Sequence, residues 1–199
     1  FMVPPMLEAF SRSKDSTYLS SATRAYDHYV SELKTKGYST AGALDTWCID
    51  KESSISLLRS ALKLYNLTSN KEYLDDAVAV SYYLSTWLWH YNGIYPENDN
   101  FTQYNYKTFG ATSVSVQHHH LDPYALFWVP EWFELTKLTG DSQWKEKAIA
   151  IWNNGCQLIS DGTLVINGRV RPVGSQNEAY LQSHWNWDAA PHFDRINSW

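Results

Sequence analysis

Two cysteines in 199 residues are too few for a disulfide framework. Cys48 and Cys156 are expected instead as small buried hydrophobes. Basic residues are also sparse: 16 Lys and Arg against 21 Asp and Glu leave a net charge of -5, and they form no cluster. Nucleic-acid binding therefore has no electrostatic footprint. No apolar run approaches the roughly 20 residues that span a bilayer, which excludes membrane insertion by a helix. The chain opens on Phe1 without a charged leader or a cleavage site, so no signal peptide is visible and the compartment stays open between cytoplasmic and secreted. A start at Phe rather than Met is what removal of an upstream segment would leave.

Aromatic side chains are abundant, with 10 Trp and 14 Tyr. Large rings fill helix-packed cores, and the same flat apolar faces stack on the C–H faces of pyranose sugars. The hydrophobic content of 44% supports a real core, and the length suits one large domain or a modest pair. A single domain over residues 1–199 is expected.

An internal repeat sets the architecture. Val3-Pro4-Pro5-Met6-Leu7-Glu8 aligns with Val129-Pro130-Glu131-Trp132-Phe133-Glu134. In that register Asp15 meets Asp141, Tyr18 meets Trp144 and Ala22 meets Ala148. A copy between them places Leu62, Tyr65, Asn70, Tyr73 and Ala77 at the matching positions. Each copy reads as an apolar helix, a short polar turn and a second helix that carries an aromatic and an alanine one turn apart. The turns are Ser13-Lys14-Asp15, Thr68-Ser69-Asn70 and Thr139-Gly140-Asp141. This is an αα-hairpin with a tight connection.

The spacing predicts helices near 4–12, 16–36, 52–67, 71–91, 122–138 and 142–159. Ser54 to Leu67 is apolar nearly all round and is expected to be an inner helix. Asn167-Gly168, between Gly162–Ile166 and Arg169–Val173, is a two-residue hairpin signal. The fold class is thus all-α, tandem αα-hairpins with a small β-hairpin near residues 162–173. In such a stack the tight turns gather at one end. The long connections 37–51, 92–121 and 160 onward gather at the other, and they hold most of the His, Asp, Glu, Arg and Trp that could carry chemistry.

Tandem hairpins of this length resemble the six-hairpin (α/α) toroid glycosidases. Leu138-Thr139-Gly140-Asp141 followed by Trp144 and Ala148 is similar to turns of that superfamily, as is Leu67-Thr68-Ser69-Asn70 with Tyr73 and Ala77. Asp45 to Ser53 and Gly110 to Asp122 look like motifs of a bacterial subgroup. The resemblance covers roughly residues 1–160 and about three of the six hairpins, so the chain reads as part of a larger catalytic domain. It implies a carbohydrate substrate and carbohydrate metabolism as the setting.

Glycoside hydrolysis uses two carboxyl groups. Four acids on the long-connection segments are candidates: Asp50, Glu52, Asp122 and Glu178. Asp50 and Glu52 also suit a plain role, capping a helix and answering its dipole. Asp122 before Pro123 is likewise a helix-start signature. Candidate substrate-binding residues are Asp45, Trp47 as a ring platform, His118, His119 and His120, Tyr124, Arg169 and Arg171, and His184 with Trp185. The two arginines would suit a substrate carboxylate, as in a uronic acid. In an extended strand His118, His120 and Asp122 would share a face, as three metal ligands do. No second motif with ligand spacing occurs, so hydrogen bonding to sugar hydroxyls or proton transfer by one histidine is the better reading and neither metal nor cofactor is expected. Glu131 and Glu134 read as interior or surface polar residues.

The expected function is glycoside hydrolysis of an oligo- or polysaccharide by carboxylate acid/base catalysis. A polysaccharide lyase acting on uronic-acid glycans is the alternative enzyme, and a non-catalytic helical-repeat binding module the alternative of another class. Half a toroid would leave its inner helices uncovered. Either self-association or the remainder of the polypeptide is then expected to cover them.

Overall fold

The computed structural model of the chain describes residues 2–41, 48–113, 115–116, 121–166 and 168–175. The chain divides into two compact units. Residues 1–87, 114–118 and 127–148 form the first, and residues 88–113, 119–126 and 149–199 the second.

The first unit is built from α1 (Val3–Ser13), α2 (Ser16–Lys36), α3 (Glu52–Thr68), α4 (Lys71–Ser85), α6 (Val129–Thr139) and the start of α7 (Ser142–Gly155). All three expected tight turns form, with one shared geometry. Lys14, Ser69 and Gly140 each adopt a left-handed conformation, at φ 59, 58 and 75°, and each donates its N–H back to a helix carbonyl. The next residue caps the following helix: Asp15, Asn70 and Asp141 accept from the amides of Thr17, Glu72 and Gln143 at 2.9–3.0 Å. The preceding hydroxyls of Ser13, Thr68 and Thr139 bridge both sides. Each donates to the carbonyl four residues back at 2.7–2.8 Å and accepts from the capping residue's own amide. The repeated alanines Ala22, Ala77 and Ala148 are all fully buried.

Helix α3 is the inner helix the pattern predicts, packed against α1, α2, α4 and α6 with Leu58, Ala61 and Leu64 sealed from solvent. Polar pairs cross its other face. Lys63 meets Glu8 of α1, Arg59 meets Glu131 of α6 and Asn66 donates to Glu134. Ion pairs therefore link α3 to both α1 and α6. In the same unit Trp132 is completely buried, in ring contact with Trp128 and Trp144, and its indole N–H donates to Ser81 at 3.0 Å. Tyr26 donates to the buried carboxylate of Asp76, which Lys34 also pairs.

Three helix boundaries differ from the sequence expectation. The stretch 122–138 is not one helix: a 3-10 helix spans Tyr124–Trp128 and α6 starts at Val129. Pro130 has no N–H for an i→i−4 bond, so a helix must restart there with Pro in its first turn. A proline in the same position places the start of α1 at Val3, as the repeat implies. Helix α4 stops at Ser85 rather than 91, where Thr86 and Trp87 donate to carbonyls three residues back and tighten the last turn. Helix α7 stops at Gly155 rather than 159, followed by Leu158 at φ 55°.

Among its described residues the second unit has little helix: α5 (Asn100–Gln103), the first part of the 3-10 helix and the end of α7. Its strands are β3 (Thr112–Ser113) paired with β4 (Leu121–Asp122), and β5 (Val165–Ile166) paired with β6 (Arg169–Val170). The second pair lies inside the expected hairpin, with Gly168 at φ 72° in its turn. Phe101, Ala111, Leu121 and Ile166 form the core, ringed by Trp89, Tyr95, Tyr104 and Tyr106. Gly110 is obligatory. At φ +85° a Cβ would stand 2.2 Å from the carbonyl oxygen of Ala150. Cys48 is buried as expected, but Cys156 is exposed. Among the described residues no helix is long and apolar enough to cross a membrane.

Candidate functional site

The connection leaving α2 turns on Gly37 and enters a short antiparallel pair, β1 (Thr40–Ala41) with β2 (Cys48–Ile49). That pair delivers Asp50, Lys51 and Glu52 to the start of α3. The backbone there is over-determined. The Asp50 amide donates to the Ser39 carbonyl at 3.0 Å, and the Asp50 carbonyl accepts from the Ser39 hydroxyl at 2.6 Å and from the Tyr83 phenol at 2.8 Å. Ser54 donates to Ser39, and Ser53 to the Thr40 carbonyl. Burial raises the Tyr83 phenol pKa; hydrogen bonds with Ser39 oppose the rise and the Asp50 charge adds to it.

A piece of the second long connection meets the first within this unit. Val116 donates to the Ile49 carbonyl at 3.1 Å, and Ser115 bridges Asp50. The carboxylate of Asp50 accepts from the Glu52 amide at 2.5 Å, so it does cap α3, one residue ahead of the formal cap position at Lys51. Asp50 is buried, Glu52 half-buried in the first turn, and Lys51 has no solvent exposure at all.

Asp122 belongs to the second unit. One carboxylate oxygen accepts from the Thr112 hydroxyl and from the Tyr124 amide, each at 2.8 Å. It ends β4 and caps the 3-10 turn instead of a long helix. Tyr124 follows, half-buried. In that unit Tyr106 is largely buried and donates to Asn154 at 2.9 Å. Burial pushes the Tyr106 phenol up to about 12, with Asp122 adding to the rise. The two arginines part company: Arg169 is exposed on β6, whereas Arg171 just after that strand is buried. Asp45, Trp47, His118, His119, His120, Glu178, His184 and Trp185 lie outside the described residues. No group of three or more His, Cys, Asp or Glu that could hold a metal occurs among the described residues.

Three features of the first unit escape a reading of the sequence. Lys51 stands between two acids and reads as an ordinary surface charge. Ser39 and Tyr83 carry no chemical signature, and only the fold brings them to Asp50. The Arg59–Glu131 pair leaves one weak signal, an arginine on a helix with few charges.

In fold, the chain is similar to a solved structure, the crystal structure of a family 76 glycoside hydrolase from a bovine Bacteroides thetaiotaomicron strain. The match covers 77% of this chain at 19% identity with a TM-score of 0.53. The fold is part of an (α/α) toroid. The chain spans 33% of the length of that structure, so it supplies a partial toroid. No family model matches the chain, and no curated protein matches it. Helix α3, packed against α1, α2, α4 and α6, is the inner helix of the set. Asp50 and Glu52 open an inner helix, at the end opposite the tight turns.

Proposed function

We propose that this chain is the partial toroid of a glycoside hydrolase that cleaves an oligo- or polysaccharide. One observation carries the reading. Two carboxyl groups, Asp50 and Glu52, stand in one rigid turn at the start of an inner helix, where two long connections meet, on a fold held in common with a glycoside hydrolase.

The chemistry needs a proton for the leaving glycosidic oxygen and a carboxylate for the other face of the sugar. In this reading one carboxyl gives its proton to that oxygen as the C–O bond breaks. In a direct displacement, water adds to the anomeric carbon and passes its proton to the second carboxylate. Where the second carboxylate first forms a glycosyl-enzyme ester, water breaks that ester and passes its proton to the first carboxylate, by then deprotonated. The multiply bonded backbone of Asp50 supports such a role, because a fixed carboxylate needs no reorganisation during reaction. Glu178 and, in the second unit, Asp122 are the other candidate acids. Rings and imidazoles of the connections, Trp47, His118, His119, His120 and Tyr124, with Asp45, His184 and Trp185, would hold the sugar. Arg169 and Arg171 would favour an acidic one.

The test is release of reducing ends from a panel of neutral and uronic-acid glycans. Asp50→Asn and Glu52→Gln should each cut kcat by at least about 100-fold, in the range of general acid–base catalysis. Aryl glycosides with good leaving groups should recover turnover in the acid variant alone. An unsaturated, UV-absorbing product would instead make the protein a lyase. Glycan binding without turnover would make it a binding module.

A further inference from the structure

Within the first unit, the starts of α1 and α3 and the end of α2 enclose a cavity of about 420 Å³. Pockets of that size hold small molecules. Its walls differ in chemistry. Met2 and Met6 at the start of α1, with Tyr29 and Leu33 of α2, make an apolar wall. Across from them α3 presents Ser53, Ser56 and Ser60, spaced three and four residues apart on one helix face. Of the described residues that line the cavity, only Glu32 and Lys36 are charged, and they pair with each other at 3.4 Å.

Two of the α3 hydroxyls are committed. Ser53 donates to the Thr40 carbonyl at 2.7 Å and Ser60 to the Ser56 carbonyl at 2.6 Å. A hydroxyl has one proton and two lone pairs, so both can still accept but not donate. Ser56 differs. It is 8% exposed, and its hydroxyl has no hydrogen-bond partner among the described residues. Its oxygen is not sealed within protein, so it faces the cavity it lines. Buried polar groups are normally paired, and here the room for a partner is the cavity.

We propose that this cavity binds a sugar ring: an uncharged pyranose lies with its C–H face on the Met2, Met6 and Tyr29 wall and donates hydroxyl protons to Ser56 and Ser53. Three features select such a ligand. The serine wall calls for donors, the opposite wall calls for an apolar face, and the internally paired charges favour a neutral molecule. The unbranched methionines can adapt to the outline of the ring. The proposal goes beyond the hydrolase reading, since it needs no catalytic role for Asp50 or Glu52.

The sequence holds two methionines, Met2 and Met6, and both line the cavity. In the full chain labelled with carbon-13 at the methionine methyls, both NMR signals therefore report on it. Titration with the methyl pyranosides of glucose, mannose, galactose and xylose should shift both signals for at least one sugar. Ser56→Ala should raise Kd about 3- to 10-fold, the range of one neutral hydrogen bond. Ser56→Leu, which fills the cavity, should abolish the shifts. Tyr29 is 55% exposed, so Tyr29→Ala should weaken binding with the fold intact and serves where Ser56→Leu does not fold. Cyclohexanol, a ring without the row of hydroxyls, should bind at least about 10-fold more weakly. Asp50→Asn should leave Kd nearly unchanged. No shift with any of the sugars, equal affinity for cyclohexanol, or an unchanged Kd in Ser56→Ala would each overturn the proposal. So would shifts that survive Ser56→Leu and vanish in Asp50→Asn, which put the sugar at the carboxylates alone. Absence of glycan turnover in the parent would remove the hydrolase reading, while this titration would still decide the cavity.

Discussion

The three tight turns share a geometry but not a sequence, and that difference makes opposite predictions. The left-handed position is glycine only at Gly140; Lys14 and Ser69 hold it elsewhere at nearly the same φ. A Cβ at Gly140 would meet nothing within 4 Å, so Gly140→Ala changes backbone energy and no packing. Left-handed geometry costs an L-residue about 1–2 kcal/mol. Loss of glycine's unfolded-state freedom returns about 0.4–1 kcal/mol. Gly140→Ala should therefore destabilise by about 0.5–1.5 kcal/mol. Ser69 is exposed. Ser69→Gly should run the same sum backwards and stabilise by about 0.5–1 kcal/mol. Lys14→Gly is the parallel case. Urea unfolding followed by circular dichroism gives all three, with no change in the slope with denaturant. A loss of stability in Ser69→Gly, or none in Gly140→Ala, would refute the assignment of these turns as equivalent caps.

Other outcomes follow from single contacts. Ser81→Ala orphans the buried indole N–H of Trp132 without changing packing much and should cost about 1–3 kcal/mol, read by the same unfolding assay. Gly110→Ala combines left-handed strain with a clash against the Ala150 carbonyl and should cost about 3 kcal/mol or more, seen as early loss of near-UV signal. Tyr106 has a folded pKa of about 12 against an ordinary 10.0, so the folded state holds its proton longer. Its contribution is complete below pH 10 and is lost as pH rises toward 12, about 3 kcal/mol across that window. Tyr106→Phe should flatten the alkaline limb of a stability–pH curve.

The features legible in the sequence are local ones. A hydroxyl, a left-handed residue and an Asp or Asn cap lie within three positions, so each tight turn can be read without the rest of the chain. Val-Pro marks the starts of α1 and α6 in the same way. The end of α4 is set by partners distant in sequence. Leu84, Trp87 and Leu88 continue an apolar stripe, yet Leu88 bridges Thr112 and Trp89 donates to the Ala111 carbonyl, so the chain there pairs as a strand within the second unit. The stripe through Leu126 and Phe127 hides the break that Pro130 requires. At the site, Asp50 and Glu52 stand out because carboxylates before a helix are visible as residue types. The setting of Asp50 does not, since Ser39 and Tyr83 reach it only through folding.

The account stands on sugar being bound and cleaved where inner helix α3 begins. The direct measurement is a crystal structure of the Asp50→Asn variant soaked with an oligosaccharide that the parent cleaves. The account predicts a glycosidic oxygen within hydrogen-bonding reach of the substituted side chain at position 50 or of Glu52. An ordered sugar elsewhere, with that turn in contact with solvent or protein alone, would contradict it.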